Sequence, residues 1–92
     1  LLPKGTEDTG LIKPSAAAVH PKTGELYILC SVNRLMVVAD RHWKWKKVYA
    51  LDKSWFKQPE GMSFAPNGDL WISNEARSGS ANIICIPWKG LP

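Results

Sequence analysis

The chain has 92 residues, 45% of them hydrophobic and 22% charged, a composition typical of one small globular domain and unlike that of a disordered chain. Twelve Lys and Arg residues against eight Asp and Glu residues give a formal net charge of +4, too small an excess to indicate nucleic-acid binding by itself. No apolar run approaches the roughly 18 residues that a membrane-spanning helix requires. Cys30 and Cys85 lie in apolar segments, which favours two buried thiols, with one disulfide as the alternative.

The first half of the chain is predicted to form four short strands separated by turns. Residues 1–3 resemble the end of a strand that began elsewhere, and the polar, glycine-containing residues 4–10 predict a loop. Apolar runs and alternating patterns then predict strands over residues 16–19, 25–31, 35–39 and 43–51.

The second half repeats this pattern with one strand fewer. Strands are expected over residues 60–64, 69–74 and 82–86, and a longer turn is expected at residues 77–80. Residues 87–90 end the last of these strands, and no complete fourth strand follows them.

A sequence repeat relates the two halves. Pro14 lies 45 residues before Pro59, and Pro21 lies 45 residues before Pro66. The turn that follows is one residue shorter in the second half, so the later matching pairs are 44 residues apart. These pairs are Gly24 and Gly68, Leu26 and Leu70, Tyr27 and Trp71, and Ile28 and Ile72. A period of roughly 40–50 residues built only from short strands is typical of a propeller blade, whereas helical repeats would show apolar positions three and four apart.

The repeat predicts an all-β fold of two four-stranded antiparallel blades from a β-propeller of about six blades, the second blade lacking its outer strand. Residues 1–12 would be the end of a preceding blade and a loop, residues 13–53 the first blade and residues 54–92 the second. Since two blades cannot close a ring, we expect the remaining blades of a longer chain, or further copies in a homo-oligomer such as a trimer, as partners. Until such partners cover them, we expect the blade faces to be open on one side. The residues on these faces are Tyr27, Leu35, Val37 and Trp71.

Four segments carry a resemblance to a known family: Lys13-Pro14-Ser15-Ala16, His20-Pro21-Lys22-Thr23-Gly24-Glu25-Leu26-Tyr27, Gln58-Pro59-Glu60-Gly61 and Asn67-Gly68-Asp69-Leu70-Trp71-Ile72-Ser73-Asn74-Glu75. In these segments the chain resembles the SdiA-regulated family of bacterial β-propellers. The resemblance implies a periplasmic or other cell-envelope protein whose propeller has about six blades. It also implies a connection with calcium, because some relatives are described as calcium-responsive or as phytases.

Two carboxylates and an amide near the strand ends of the second blade are the first candidate site. Glu60 opens one strand and Glu75 follows the strand paired with it, so both are expected at one end of the hairpin, with Asn74 beside them. Such oxygens suit a calcium ion, and two carboxylates can also act as an acid–base pair. The alternative is that each pairs with Arg or Lys or caps a loop amide. At the matching places the first blade has Ser15 and Ser31.

The predicted fourth strand carries a second candidate site. Trp43 and Trp45 are followed by lysines and can stack on a ligand such as a sugar, and the strand's lysines can contact phosphate or an anionic surface. Strict alternation places Trp45 on the face of Tyr49 and opposite that of Val48. The alternatives are packing between blades for the tryptophans and a solvated edge strand for the lysines.

No catalytic motif is recognisable: His20 and His42 stand alone, and there is no nucleophile motif, phosphate-binding glycine loop or nucleotide fingerprint. We therefore expect a module that binds a ligand or partner, with no evident catalysis of its own. One alternative is a calcium-dependent phosphoesterase of the phytase kind, with a site built across several blades. Another is a sugar-binding propeller assembled from copies of the chain.

Overall fold

Two antiparallel β-sheets follow one another along the chain in a computed structural model that describes residues 13–75 and 79–90. The first sheet contains β1 (Ala16–Val19), β2 (Leu26–Cys30), β3 (Leu35–Ala39) and β4 (Trp45–Ala50), in sequence order. The second contains β5 (Pro59–Phe64), β6 (Leu70–Asn74) and β7 (Asn82–Ile86), and a 3-10 turn at Trp88–Gly90 follows it. The predicted all-β fold is confirmed: in the described residues a four-stranded antiparallel sheet is followed by one of three strands.

Some sequence-based expectations lie outside the described residues. These are the strand end at residues 1–3, the loop at residues 4–10 and part of the turn at residues 77–80. Within the described ranges, no helix is long and apolar enough to cross a membrane. Cys30 and Cys85 are free thiols, the first buried and the second half-buried, and burial raises the pKa of Cys30 above its ordinary value.

The main core lies between the two sheets, and the innermost strands β1 and β5 lie side by side. Leu29 from the first sheet and Leu70 and Ile72 from the second are completely buried, with 0% exposure. Their neighbours in this core are Tyr27, Met36, Val38 and Phe56. Apolar residues alternate along β2 and β3, so that one side of the first sheet meets the second sheet. Its other side carries a smaller cluster formed by Ile28, Cys30 and Val37.

The outer strand β4 departs from the predicted alternation at a β-bulge, where Lys46 is the additional residue. Trp45 consequently packs beside Val48 and Val37 in the smaller cluster, whereas Tyr49 packs on the opposite side, in the main core. The prediction that Trp45 shares a face with Tyr49 is therefore wrong. An extra residue in one strand shifts every side chain before it to the other face of the sheet.

The outer side of the second sheet is open to solvent. Ile83 is 67% exposed and Trp71 is 43% exposed on this side. The expectation of open faces is wrong for Val37 and Tyr27, which are 0% and 4% exposed because each packs in one of the two clusters. Leu35 is half-buried beside the smaller cluster.

The β5–β6 hairpin turns at Gly68, whose φ is +95°. The Gly68 N–H donates to the Ala65 carbonyl over 2.9 Å, and the Ala65 N–H donates to the Asp69 carbonyl over 2.9 Å. This is a three-residue hairpin loop that requires the left-handed conformation at its last position, where glycine is favoured because it has no Cβ. A Cβ built on Gly68 would lie 2.8 Å from the Trp88 ring and 3.1 Å from the His20 ring.

The neighbouring His20 joins the two sheets at this end. Its ring is 1% exposed, and its centroid lies 4.8 Å from those of Phe64 and Trp88. Its Nδ1 accepts the backbone N–H groups of Lys22 and Thr23 over 3.1 and 3.2 Å, which fixes the β1–β2 turn. His20 is therefore a packed structural residue that orders a turn, and Gly68 leaves the space that this packing needs.

Gly68→Ala should lower the free energy of unfolding by about 2–3 kcal/mol, because the left-handed backbone and the contact with the Trp88 ring are both unfavourable for a Cβ. Gly79→Ala is the matched control, since Gly79 has a φ of +99° but nothing within 4 Å of the added carbon. It should cost about 1 kcal/mol. Urea unfolding measures both, and equal losses would show that the His20–Trp88 packing does not constrain this turn.

Candidate functional site

A cleft of about 380 Å³ opens between the two sheets, at the end where β2 and β6 finish. It is bounded by the β2–β3 turn, residues 31–34, and by the linker between the sheets with the start of β5, residues 57–60. Its walls are mostly polar and carry both signs of charge. They are formed by Ser31, Val32, Arg34, Lys57, Gln58 and Glu60.

Arg34 ties the β2–β3 turn to the linker. Its Nε donates to the Phe56 carbonyl and its Nη2 to the Lys57 carbonyl, both over 2.9 Å. Its own carbonyl accepts the Leu51 N–H over 2.8 Å. The residue has a φ of +49°, a conformation that is unfavourable for a side chain with a Cβ and persists only where surrounding contacts hold it. Arg34 therefore sets the shape of the cleft as well as lining it.

Asn74 holds the other end of the linker from within β6. It is 5% exposed, and its Oδ1 accepts the Gln58 N–H over 3.3 Å. Its Nδ2 donates to the Trp55 carbonyl over 3.1 Å and to Asn82 Oδ1 over 2.9 Å. Both amide hydrogens and one oxygen lone pair are thus engaged in holding the linker against β6 and β7.

Glu60 and Glu75 lie at the same end of the β5–β6 pair, in different settings. Glu60 is the additional residue of a bulge between Pro59 and Gly61, and it is half-buried in the wall of the cleft. Glu75 is exposed, and its N–H donates to the Gln58 carbonyl over 2.9 Å. Within residues 13–75 and 79–90, no group of three or more His, Cys, Asp or Glu residues is placed to hold a metal ion. Calcium binding by Glu60, Asn74 and Glu75 stays a prediction.

The first sheet has an uncharged pair at the corresponding end. The Oγ atoms of Ser15 and Ser31 are 2.6 Å apart, and the Ser31 N–H donates to Ser15 Oγ over 3.1 Å. The two hydroxyls therefore join the residue before β1 to the residue after β2. The charged groups that line the cleft are Arg34, Lys57 and Glu60.

The other predicted ligand-binding residues, Trp43 and Trp45, lie at the opposite end of the first sheet. Arg34 immediately precedes the five-residue strand β3. Trp45 pairs with Ala39 at the other end of that strand and Trp43 lies in the turn beyond it, so about 13 Å of strand separates them from Arg34. The structure brings Glu60, Asn74 and Glu75 to one end and the tryptophans to another. The turn before Trp43 is fixed by Asp40, and the backbone N–H groups of Lys44 and His42 hold the pKa of that carboxyl below its ordinary value.

Comparison with known proteins gives the family. A model of the family described as SdiA-regulated matches residues 6–77, more than half of the chain. The chain belongs to the SdiA-regulated family. This confirms the resemblance that the four sequence segments carry. No curated protein matches the chain.

Among solved structures, this member of the SdiA-regulated family is similar to hydrazine synthase from Kuenenia stuttgartiensis. The two are 26% identical and superpose with a TM-score of 0.60 over 94% of this chain. The chain spans only 24% of the length of that protein chain.

Sequence reasoning placed Glu60 correctly at a strand end but missed the residues that build the cleft. Arg34 carried one signal: it ends the four-residue turn that directly precedes β3, and a residue with positive φ at such a place is more often glycine than a bulky residue. Lys57 and Gln58 lie in a linker without any periodic pattern, and only the tertiary structure places them against the β2–β3 turn.

Asn74→Ala should lower the free energy of unfolding by about 2–4 kcal/mol, because it leaves the Gln58 N–H and the Trp55 carbonyl without their buried partner. Asn82→Ala removes only one of the Asn74 bonds and should cost about 0.5–1.5 kcal/mol. Chemical unfolding of the two variants measures the difference. If Asn82→Ala cost as much as Asn74→Ala, the linker would not depend on the Asn74 amide.

Proposed function

We propose that this chain supplies two adjacent blades of a bacterial cell-envelope propeller and binds a small ligand in the cleft between them, without catalysis of its own. The observation that carries the proposal is the convergence of Arg34, Lys57 and Glu60 on one cleft at the boundary between the blades. The cleft's volume of about 380 Å³ falls within the range of small-molecule sites. Loops at strand ends, supported by rigid sheets, are where such sites commonly lie.

The charges of the cleft indicate the class of ligand. Arg34 and Lys57 offer cationic donors, and Glu60 offers an acceptor for a donor group or a cation. A ligand that carries an acid group together with an amine or hydroxyl satisfies both signs at once. Amino acids, short peptides and sugar acids are molecules of this class.

The fixed geometry of the walls supports binding. The Arg34 guanidinium and the Asn74 amide are engaged with the linker backbone, so the walls are held before a ligand arrives. A preorganised site loses less conformational freedom on binding and therefore binds more tightly. The assignment to the cell envelope follows from what the family resemblance implies.

The test is a calorimetric screen of amino acids, dipeptides and sugar acids against the protein that carries this chain. Lys57→Gln and Glu60→Gln should each weaken the binding of a hit by tenfold or more, because a hydrogen bond to a charged group contributes about 1.5–3 kcal/mol. Lys53→Gln is the matched control: Lys53 lies in the same linker but is exposed and outside the cleft, and its loss should leave affinity unchanged.

Two outcomes would contradict this proposal. One is that no molecule of this class binds, or that binding is the same in the Lys57→Gln and Glu60→Gln variants as in the unaltered protein. The other is release of phosphate from inositol phosphates only when calcium is present, which would establish the phosphoesterase alternative instead. Phosphate release from inositol phosphates is therefore measured with calcium and with excess chelator.

A further inference from the structure

Trp43 is both exposed and held in an unfavourable backbone conformation. It is 74% exposed, the largest exposed fraction among the large hydrophobic residues that the structure describes. Its φ is +67°, in the left-handed region. The β3–β4 turn repeats the hydrogen bonds of the β5–β6 turn, and Trp43 occupies the place of Gly68. A glycine would suit the backbone better at this place, so stability of the turn does not explain the tryptophan.

Asp40 makes the turn rigid. Its Oδ1 accepts the N–H groups of His42 and Lys44 over 2.8 and 3.0 Å. The Trp43 N–H donates to the Asp40 carbonyl over 2.9 Å, and the Asp40 N–H donates to the Lys44 carbonyl over 2.7 Å. We call residues 40–45 the Trp43 hairpin. Its backbone hydrogen bonds hold the indole outward at the tip of the sheet.

The sequence around the indole is basic. From Arg41 to Lys47 the chain has four Lys and Arg residues, a histidine and no acidic residue. The one salt bridge among the described residues joins Lys46 to Glu25, and it holds the pKa of Glu25 below its ordinary value. Within the same ranges, Arg41, Lys44 and Lys47 have no carboxylate partner, and all three are exposed.

The same end of the two sheets presents further groups of this kind. Lys22 lies exposed in the β1–β2 turn, and a Cβ built on Gly24 in the same turn would lie 3.6 Å from the Arg41 Cβ. Trp88 is 40% exposed at the end of the second sheet and is followed by the exposed Lys89. The exposed tryptophans and cations therefore extend beyond one hairpin, across the end of the molecule opposite the cleft.

We propose that the Trp43 hairpin docks on the surface of a lipid bilayer that contains anionic lipids. Trp43 would enter the headgroup region, where the amphipathic indole is favoured, and Arg41, Lys44 and Lys47 would contact lipid phosphates. This interaction is independent of ligand binding, since the cleft lies at the other end of the sheets. A protein docked in this way keeps its cleft directed away from the membrane and open to solution.

The shape of the surface favours a bilayer over other anionic partners. Small-molecule sites are concave, whereas the Trp43 hairpin is a projecting tip with an indole at its end. Proteins that bind single-stranded nucleic acid follow the backbone with a long basic groove and several stacking aromatics. An exposed indole at a projecting tip, with cations beside it, suits a soft planar partner that carries many phosphates, and an anionic bilayer provides this.

Vesicle co-sedimentation tests the proposal with the protein that carries this chain. We compare vesicles of phosphatidylcholine alone with vesicles in which about a third of the lipid is phosphatidylglycerol. Binding should be stronger to the anionic vesicles and should weaken as salt is raised, because salt screens exposed charges. Equal binding to both kinds of vesicle, or none to either, would overturn the proposal.

Trp43→Gly separates docking from stability. Glycine relieves the left-handed backbone, so the melting temperature should stay the same or rise, while affinity for anionic vesicles should fall about tenfold. Trp55→Ala is the matched control, since Trp55 is 65% exposed but lies in the linker at the opposite end, and it should bind as the unaltered protein does. Unchanged vesicle affinity in Trp43→Gly would overturn the proposal.

The charges are tested by Lys44→Gln and Lys47→Gln, each of which should weaken vesicle binding about fivefold. If Trp43→Gly lowers the melting temperature, these two substitutions at exposed positions test vesicle docking in its place. Unchanged vesicle affinity in both lysine variants would contradict the proposal. An RNA oligonucleotide and an anionic polysaccharide are titrated in parallel. Trp43-dependent binding to either of these, without binding to vesicles, would show that the lipid assignment is wrong.

Discussion

The contact between the two sheets is the interaction on which the other features of the molecule depend. Leu29, Leu70 and Ile72 are fully buried there, and each sheet contributes only one side to this core. Because the sheets are fixed against each other, their loops meet at both ends. At one end the linker is drawn against the β2–β3 turn and forms the cleft, and at the other His20 packs between Phe64 and Trp88.

Two residues with a left-handed backbone mark the two ends as different surfaces. Arg34 and Trp43 stand at turn positions with positive φ, where glycine is favoured. Unfavourable backbone conformations tend to be retained where the side chain has a role. The Arg34 side chain holds the linker and lines the cleft, whereas the Trp43 indole is exposed to solvent. The two proposals, a ligand in the cleft and a bilayer at the opposite end, rest on this difference.

The repeat in the sequence was enough to predict the strands, their antiparallel order and a second sheet with one strand fewer. It does so because the same prolines and the same apolar run occur at matching places in both halves. It could not predict the bulge at Lys46, which depends on the pairing of β4 with β3 and moves Trp45 to the other face. For the candidate site, strand ends indicated Glu60 and Asn74, but the hydrogen bonds of Asn74 and the role of Arg34 arise from contacts 16–23 residues away in the sequence.

In the described part of the chain, the two sheets pack as adjacent blades and the outer side of the second is uncovered, where Ile83 is 67% exposed. Exposed apolar surface of this kind usually finds a partner. Sedimentation velocity of the 92-residue chain over a range of dilutions, combined with thermal unfolding, tests this claim most directly. We predict self-association at high concentration, with dissociation or loss of structure on dilution. A monomer at every concentration, with a cooperative thermal transition that dilution leaves unchanged, would contradict the account.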